Sequence, residues 1–469
     1  MKAMGIDLGT TSISMIMVDG ESGTLIGSRT VNSDAFISGM HASSREQDPG
    51  KILDHVIRGL YELTGAYGRP DVIGMTGQMH GMLYVDDKGE AVSPLFTWQD
   101  GSGSIPIRDG KSAVQILKEM GLAAASGFGL TTHMYLTMIG KVPERASGMV
   151  TISDYAAMKL TGRTEPFIAS DMAASWGCFN LRDKTFEEEN ISRAGMDTSF
   201  IPVVFKDHPI IGYVSDTFGE LAGIPVAASL GDNQASFIGS VNDVNGTLLL
   251  NVGTGSQVSF ATDRFISCEG AVELRPCTGD QYLLAGSSLC GGRAYAMLEN
   301  FFREIAAAGR NGSAASEHSF SMFGLMEKWA GDYYNDHGTG SAWKVRTTFN
   351  GTRSNPGERG SFSEIGTDNF HPGALTLGLM QGMLHELYEM YREMCRLSGS
   401  KASVVVGSGN AIRKNPLLRR LAGEMFGKNI LVPCHSEEAA YGAALAAMAA
   451  AGLVKNLHAA QQLIRFGVE

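Results

Sequence analysis

Apolar β-forming residues flank the polar segment Asp7-Leu8-Gly9-Thr10-Thr11, so residues 4–18 are predicted to form two strands around a tight turn. Residues 72–76 and 226–230 are short apolar runs that end in glycine and polar residues. Buried strands that deliver loops at their carboxyl ends read this way. Residues 51–64 and 373–397 carry helical spacing instead; in the second, Leu375, Leu379, Met383, Leu387 and Met390 recur every three or four positions. Strands alternating with helices give the α/β class.

The segment Gly5-Ile6-Asp7-Leu8-Gly9-Thr10-Thr11-Ser12 is echoed about half a chain later by Leu250-Asn251-Val252-Gly253-Thr254-Gly255-Ser256. The simplest architecture is two related α/β domains, residues 1–240 and 241–469, with a cleft between them. Residues 309–340 mix glycine, serine and polar side chains and are read as a long loop or insertion.

Composition narrows the function classes. The chain has 469 residues, of which 43% are hydrophobic and 19% charged, the balance of a globular protein of more than one domain. A net charge of −11 supplies no broad positive field, so neither nucleic acid nor an anionic membrane is an expected partner. Six cysteines lie scattered with no Cys-x-x-Cys pair, and neither signal peptide nor transmembrane segment is read, so the expected setting is a reducing cytoplasm. The 59 glycines point to tight turns and close backbone approach.

P-loop, dinucleotide, zincin and nucleophile-elbow signatures are all missing from the chain. In their place stand two Gly-Thr hairpins and the glycine loop Gly407-Ser408-Gly409-Asn410, each able to turn backbone N–H groups toward phosphates or a nucleotide. In the first hairpin Gly9 permits close approach and the Thr10 and Thr11 hydroxyls can donate to phosphate oxygens. Asp7 would face Mg²⁺ through water, as that ion keeps several waters. The alternative is an ordinary hairpin in which Asp7 and Thr10 satisfy the turn. Asp232 stands where an apolar strand meets a small-residue helix, a position for a general base or for a helix N-cap. Gln78-Met79-His80 and Trp98-Gln99-Asp100 together offer amide, imidazole, indole and carboxylate groups, the mixture that sugar recognition requires. A structural loop histidine is the alternative for His80.

These segments resemble the FGGY carbohydrate kinases of the actin, hexokinase and Hsp70 superfamily. The likeness rests on the residue 5–12 and 251–255 phosphate motifs, Gly231-Asp232-Asn233-Gln234, Gly407-Ser408-Gly409-Asn410 and Glu438-Ala439-Ala440-Tyr441-Gly442-Ala443-Ala444. It implies two actin/hexokinase-like (ribonuclease H-like) domains flanking a deep catalytic cleft, with sugar in the amino-terminal lobe and ATP reached mainly from the carboxyl-terminal one. By the same resemblance Asp232 is the catalytic base, and Gln78, Met79, His80, Trp98, Asp100 and Asn233 orient the sugar. Asp7, Thr10, Thr11, Gly253 and Thr254 serve the phosphates and Mg²⁺, and Gly407, Ser408, Gly409 and Asn410 cradle adenosine. Thr76-Gly77-Gln78-Met79-His80-Gly81 is similar to the ketose kinases, while residues 97–101, 126–129 and 173–180 tip the expected acceptor toward sedoheptulose. A pentulose such as xylulose or ribulose is the nearer alternative, and an actin- or Hsp70-like ATPase the remote one. The expected partners are the ketose and ATP; a homodimer is left open. Two departures stand out: Ser102 replaces the usual arginine, and Cys178 a residue that is often aromatic.

Overall fold

The computed structural model describes residues 1–467 apart from 254, 309–320, 353, 354 and 356. Packing divides the chain into two units. The first comprises Met1–Asp243, Arg275–Tyr282 and Cys434–Arg465, and the second Val244–Leu274 and Leu283–Pro433 with the last few residues.

The first unit is organised on one sheet. Lys2–Leu8 (β1) and Ser12–Asp19 (β2) form the expected antiparallel hairpin, with Leu8 opposite Ile13, and Leu25–Asn32 (β3) extends it outward. On its other side β1 runs parallel to Val72–Gly77 (β4), which sets Asp7 level with Thr76. Ile210–Tyr213 (β5) and Pro225–Ala227 (β6) complete the order β5-β6-β4-β1-β2-β3, and Leu230–Gly231 (β7) pairs with β4 beside them. The apolar run at 226–230 is therefore two short strands rather than one. The break falls where the Ser229 N–H leaves the ladder and donates to Asp154, at 3.2 Å.

Helix Pro49–Tyr67 (α1) begins where Asp48 accepts the Gly50 N–H at 2.8 Å, with proline in the first turn, and ends at Gly68 with φ 86°. Its Ile52, Val56 and Leu60 join Tyr155 and Leu160 of Ile152–Thr161 (α2) and Met4, Ile6 and Leu8 of β1 in one core. Two further helices of this unit, Asp232–Ser240 (α3) and Glu438–Ala450 (α9), pack together on the sheet, α9 against β1, β4 and α3. Every apolar side chain on α9 between Ala440 and Met448 is buried. Glycine lets these backbones nearly touch. A Cβ on Gly5 would lie 1.9 Å from the Ala440 carbonyl oxygen, one on Gly74 2.0 Å from that of Ala443, and one on Gly442 1.9 Å from that of Ala235.

The second unit repeats the plan. Thr247–Val252 (β8) pairs antiparallel with Ser256–Thr262 (β9) and parallel with Val404–Ser408 (β12), as β1 does with β2 and β4. With Val272–Pro276 (β10), Tyr282–Ser288 (β11) and Ile430–Leu431 (β13) the order is β10-β11-β9-β8-β12-β13. The helices are Gly291–Ala308 (α4), Phe323–His337 (α5), Pro372–Ser398 (α6), Asn410–Lys414 (α7) and Pro416–Phe426 (α8). The 309–340 insertion is thus corrected: α5 occupies its second half, while 309–320 lie outside the described residues. Only Met326, Ala330 and Tyr333 of α5 are buried, and Gly324 and Gly331 dilute the pattern, so its periodicity is faint. No helix among the described residues is long and apolar enough to cross a membrane.

Gly442→Ala should lower unfolding free energy in urea by about 1–3 kcal/mol, because the added methyl meets backbone that cannot swing aside. Gly65→Ala on the exposed side of α1, where a Cβ meets nothing within 4 Å, should instead stabilise by up to ~1 kcal/mol. Equal effects at the two sites would contradict the contact-distance packing of α9.

Candidate active site

β7 delivers Asp232. Gly231, extended at φ −62° and ψ 141°, is the N-cap of α3, and Asp232 is its first helical residue, not the cap that a sequence-only alternative allowed. The lead-in is held on both edges. Thr76 Oγ1 donates to the Leu230 carbonyl at 2.9 Å, and the Gly231 N–H donates to Asp171 Oδ2 at 2.9 Å. Asp171 is buried and also accepts from His208 Nε2 at 3.1 Å; burial disfavours the histidine's charge, but the Asp171 carboxylate overrides it and raises the His208 pKa. The Asp232 side chain remains open to solvent, yet the protein mass around it limits its hydration. That desolvation pushes its pKa up to about 6, with Arg275 and the Asn233 N–H pulling down and the Asp171 charge pushing up.

Asp7 lies near the carboxyl end of β1 in the same unit. Burial, then the Asp232 and Glu437 charges, push its pKa up to about 7. Glu437 sits just before α9 in the left-handed region at φ 60°, a conformation that costs a non-glycine residue energy and recurs where a site demands it. Asp7 Oδ1 is buried and has no hydrogen-bond partner among the described residues. An orphaned, negatively polarised oxygen beside two further carboxylates fits a hard divalent cation. No group of three or more histidine, cysteine or acidic side chains among the described residues forms a cage, so such an ion would keep most of its waters.

The predicted sugar residues divide into three groups. Gln78 is buried; its Oε1 accepts from Thr10 Oγ1 at 3.4 Å and its Nε2 donates to Gln47 Oε1 at 2.9 Å. Trp98, 48% exposed, shows solvent an apolar platform while its Nε1 donates to Thr10 Oγ1 at 2.9 Å. His80 adopts φ 73°, donates Nδ1–H to the Ser175 carbonyl at 2.7 Å and stacks on Phe128 at 4.7 Å. That bond fixes its tautomer. Asn233 carries a buried Oδ1 without a hydrogen-bond partner among the described residues, an acceptor that a hydroxyl could use. Met79 lies apart from these polar groups, buried, with its Sδ and Cε against Gly231. Asp100 is buried too, and both its oxygens are engaged by backbone, Oδ2 by the Arg45 N–H and Oδ1 by the Ser102 N–H, each at 2.9 Å. An arginine is thus unnecessary to hold it. Thr11 is exposed in the β1–β2 turn.

In the second unit Gly253 and Asn410 line one cavity of about 460 Å³ with Arg293, Tyr295, Glu327, Lys414 and Leu418. Tyr295 stacks on Phe323 at 5.7 Å, and its buried Oη has no partner among the described residues. Burial pushes the Glu327 carboxyl up against the pull of Arg419. Ser408 is buried, its Oγ without a partner among the described residues, and Gly409, at φ 81°, would carry a Cβ 2.6 Å from the Val252 carbonyl oxygen. Gly407 serves packing, under Ile412 and Ile430. Thr254 lies outside the described residues. The sequence did not single out Gln47, Arg275, Tyr295, Glu327 or Glu437; none belongs to a glycine-rich turn or a strand-to-helix junction that would have marked it.

Comparison with known proteins follows the same division. The model of the FGGY family of carbohydrate kinases, N-terminal domain, matches residues 2–239, and that of the C-terminal domain matches 248–451. Sedoheptulokinases of Mus musculus and Homo sapiens are each 27% identical, covering 94% and 90% of this chain and 96% and 92% of their own. Among solved structures, ligand-bound xylulose kinase from Lactobacillus acidophilus has a TM-score of 0.82 at 20% identity, covering all of this chain and 93% of that one.

Asp100→Asn should cost about 1–3 kcal/mol in urea unfolding, since the amide can accept from only one of the two N–H groups that the carboxylate now satisfies. Unchanged stability would mean that Asp100 is not the clamp its two backbone bonds describe.

Proposed function

The chain belongs to the FGGY family of carbohydrate kinases, with their two-domain actin/hexokinase-like fold, and from that premise we propose that it phosphorylates the terminal hydroxyl of sedoheptulose. As an ATP-dependent sugar phosphotransferase it has two tasks, to activate a hydroxyl and to hold a triphosphate. The observation that carries the mechanistic reading is Asp232: a solvent-reached carboxylate on a clamped strand-to-helix junction, with a pKa pushed up to about 6, near the value a general base needs.

Asp232 accepts the proton of the sugar's terminal hydroxyl as that oxygen forms its bond to the γ-phosphorus. The bond from phosphorus to the ADP oxygen breaks in line, and ADP leaves with the electron pair. Gln78, His80 and the Asn233 amide oxygen orient the ketose hydroxyls, and the Trp98 face packs on its C–H surface. Thr10, Thr11 and the Gly253 backbone hold phosphate oxygens, and the cavity of Tyr295, Leu418 and Asn410 takes adenosine beside Gly407–Asn410. Asp7 would hold Mg²⁺ through water, and the ion would supply charge balance on the phosphates. The preference for sedoheptulose over a pentulose is supported by the sedoheptulokinase relatives, which align along nearly the whole chain, and by the 97–101, 126–129 and 173–180 segments.

ADP release with Mg-ATP across sedoheptulose, D-xylulose, D- and L-ribulose, fructose and glycerol, with a no-sugar control, tests the substrate. A kcat/KM for sedoheptulose at least about tenfold above the others is expected, corresponding to the ~1.4 kcal/mol that one well-placed hydroxymethyl contact can supply. A pentulose preference would move the substrate and leave the phosphotransfer intact.

Asp232→Asn should lower kcat by roughly 10² or more with both KM values within a few fold. In the wild type the base works only when deprotonated, so kcat/KM should fall as pH drops through about 6. Near wild-type kcat in the variant would remove Asp232 as the base.

A further inference from the structure

Three side chains reach into the β1–β2 turn, and all three arrive from, or are tied to, the sugar-facing loops. The Thr10 carbonyl accepts from Gln47 Nε2 at 2.8 Å, and Thr10 Oγ1 accepts from Trp98 Nε1 at 2.9 Å and donates to Gln78 Oε1 at 3.4 Å. Gln47 closes the circuit by accepting from Gln78 Nε2 at 2.9 Å, and its remaining N–H reaches Ser33 Oγ at 3.4 Å. Gln47 is wholly buried in the short strand Glu46–Gln47 and so cannot touch a substrate. An amide side chain is the one type that can accept from one partner and donate to two others at once in such a place. A glutamine without solvent would be costly unless each of its bonds were made.

We propose that Gln47 and the Trp98 indole N–H are positioning groups that set the phosphate-binding turn from the sugar-binding loop, so that the register of Thr10 depends on the residues that orient the ketose. This rests on the assignment above of Thr10 to phosphate and of Gln78 and Trp98 to sugar. Gln78 keeps one N–H and one lone pair for a hydroxyl while its other two valences run to Gln47 and Thr10. A sugar bound there would therefore fix the same amide that orders the turn, and phosphate would meet a turn already in place.

The decisive variant is Trp98→Phe, which keeps an apolar ring at an exposed position and deletes only the N–H to Thr10. It should raise the KM for ATP roughly three- to tenfold at saturating sugar, the scale of one lost hydrogen bond, while the sugar KM stays within about twofold. Gln47→Met should raise the ATP KM likewise. Trp98→Phe combined with Thr10→Val should be no worse than Thr10→Val alone, because the indole acts through Thr10. Additive losses, or a Trp98→Phe effect confined to the sugar KM, would overturn the proposal even if Gln47→Met failed to fold. Thr10→Val alone separates the two levels. An unchanged ATP KM there would remove the phosphate assignment itself and the proposal with it, whereas a raised one with silent Trp98 and Gln47 variants would sink only the coupling.

Discussion

The first unit depends on the approach of α9 to van der Waals contact with the backbones of β1, β4 and α3. That approach is possible because Gly5, Gly74, Gly239 and Gly442 present no side chain at the crossing points; a Cβ on Gly239 would stand 2.0 Å from the Glu438 carbonyl oxygen. Four segments that are remote in sequence are thereby brought together. β1 contributes Asp7, β4 runs on into Gln78 and His80, α3 starts with Asp232, and α9 is preceded by Glu437. Had α9 been larger in side chain, these ends would stand apart, and the electrostatics of the site would be those of isolated carboxylates.

Crowding has a direct chemical consequence. Burial drives both Asp7 and Asp232 upward, Asp7 to about 7 with the Asp232 and Glu437 charges adding to it, so the unit holds negative charge that folding by itself would avoid. Such an arrangement costs stability and is retained where function uses it. Arg275 offsets the charge at Asp232, while the buried Oδ1 of Asp7, without a hydrogen-bond partner among the described residues, is left suited to a cation. The sugar-facing residues show the opposite design. Gln78, Gln47, Thr10 and Trp98 are neutral and mutually bonded, so this circuit orders the β1–β2 turn without adding to the charge already there.

Most of what could be read in advance was local. The β1–β2 hairpin, α1, α6 and the repeat of the Gly-Thr motif were readable because alternation, helical spacing and glycine placement act over a few residues. α5 escaped because its buried face is only Met326, Ala330 and Tyr333 amid polar and glycine positions. Side-chain circuits were not readable at all. Gln47 lies 31 residues from Gln78 and 37 from Thr10, and nothing in the run Ser44-Arg45-Glu46-Gln47-Asp48-Pro49 marks one amide as buried. Nor does sequence show that Asp100 spends both oxygens on the backbone, which explains how the loop tolerates Ser102.

The two units reuse one supersecondary plan and differ in charge at the matching position. Asp7 on β1 is level with Thr76 of β4, while on β8 the corresponding Asn251 is level with Ser408 of β12. A carboxylate near triphosphate oxygens repels them unless a cation lies between, whereas an amide can donate to them directly. The duplicated hairpin thus carries one substitution of charge: under the phosphate assignment proposed above, the acidic copy would suit contact through a cation and the neutral copy direct contact.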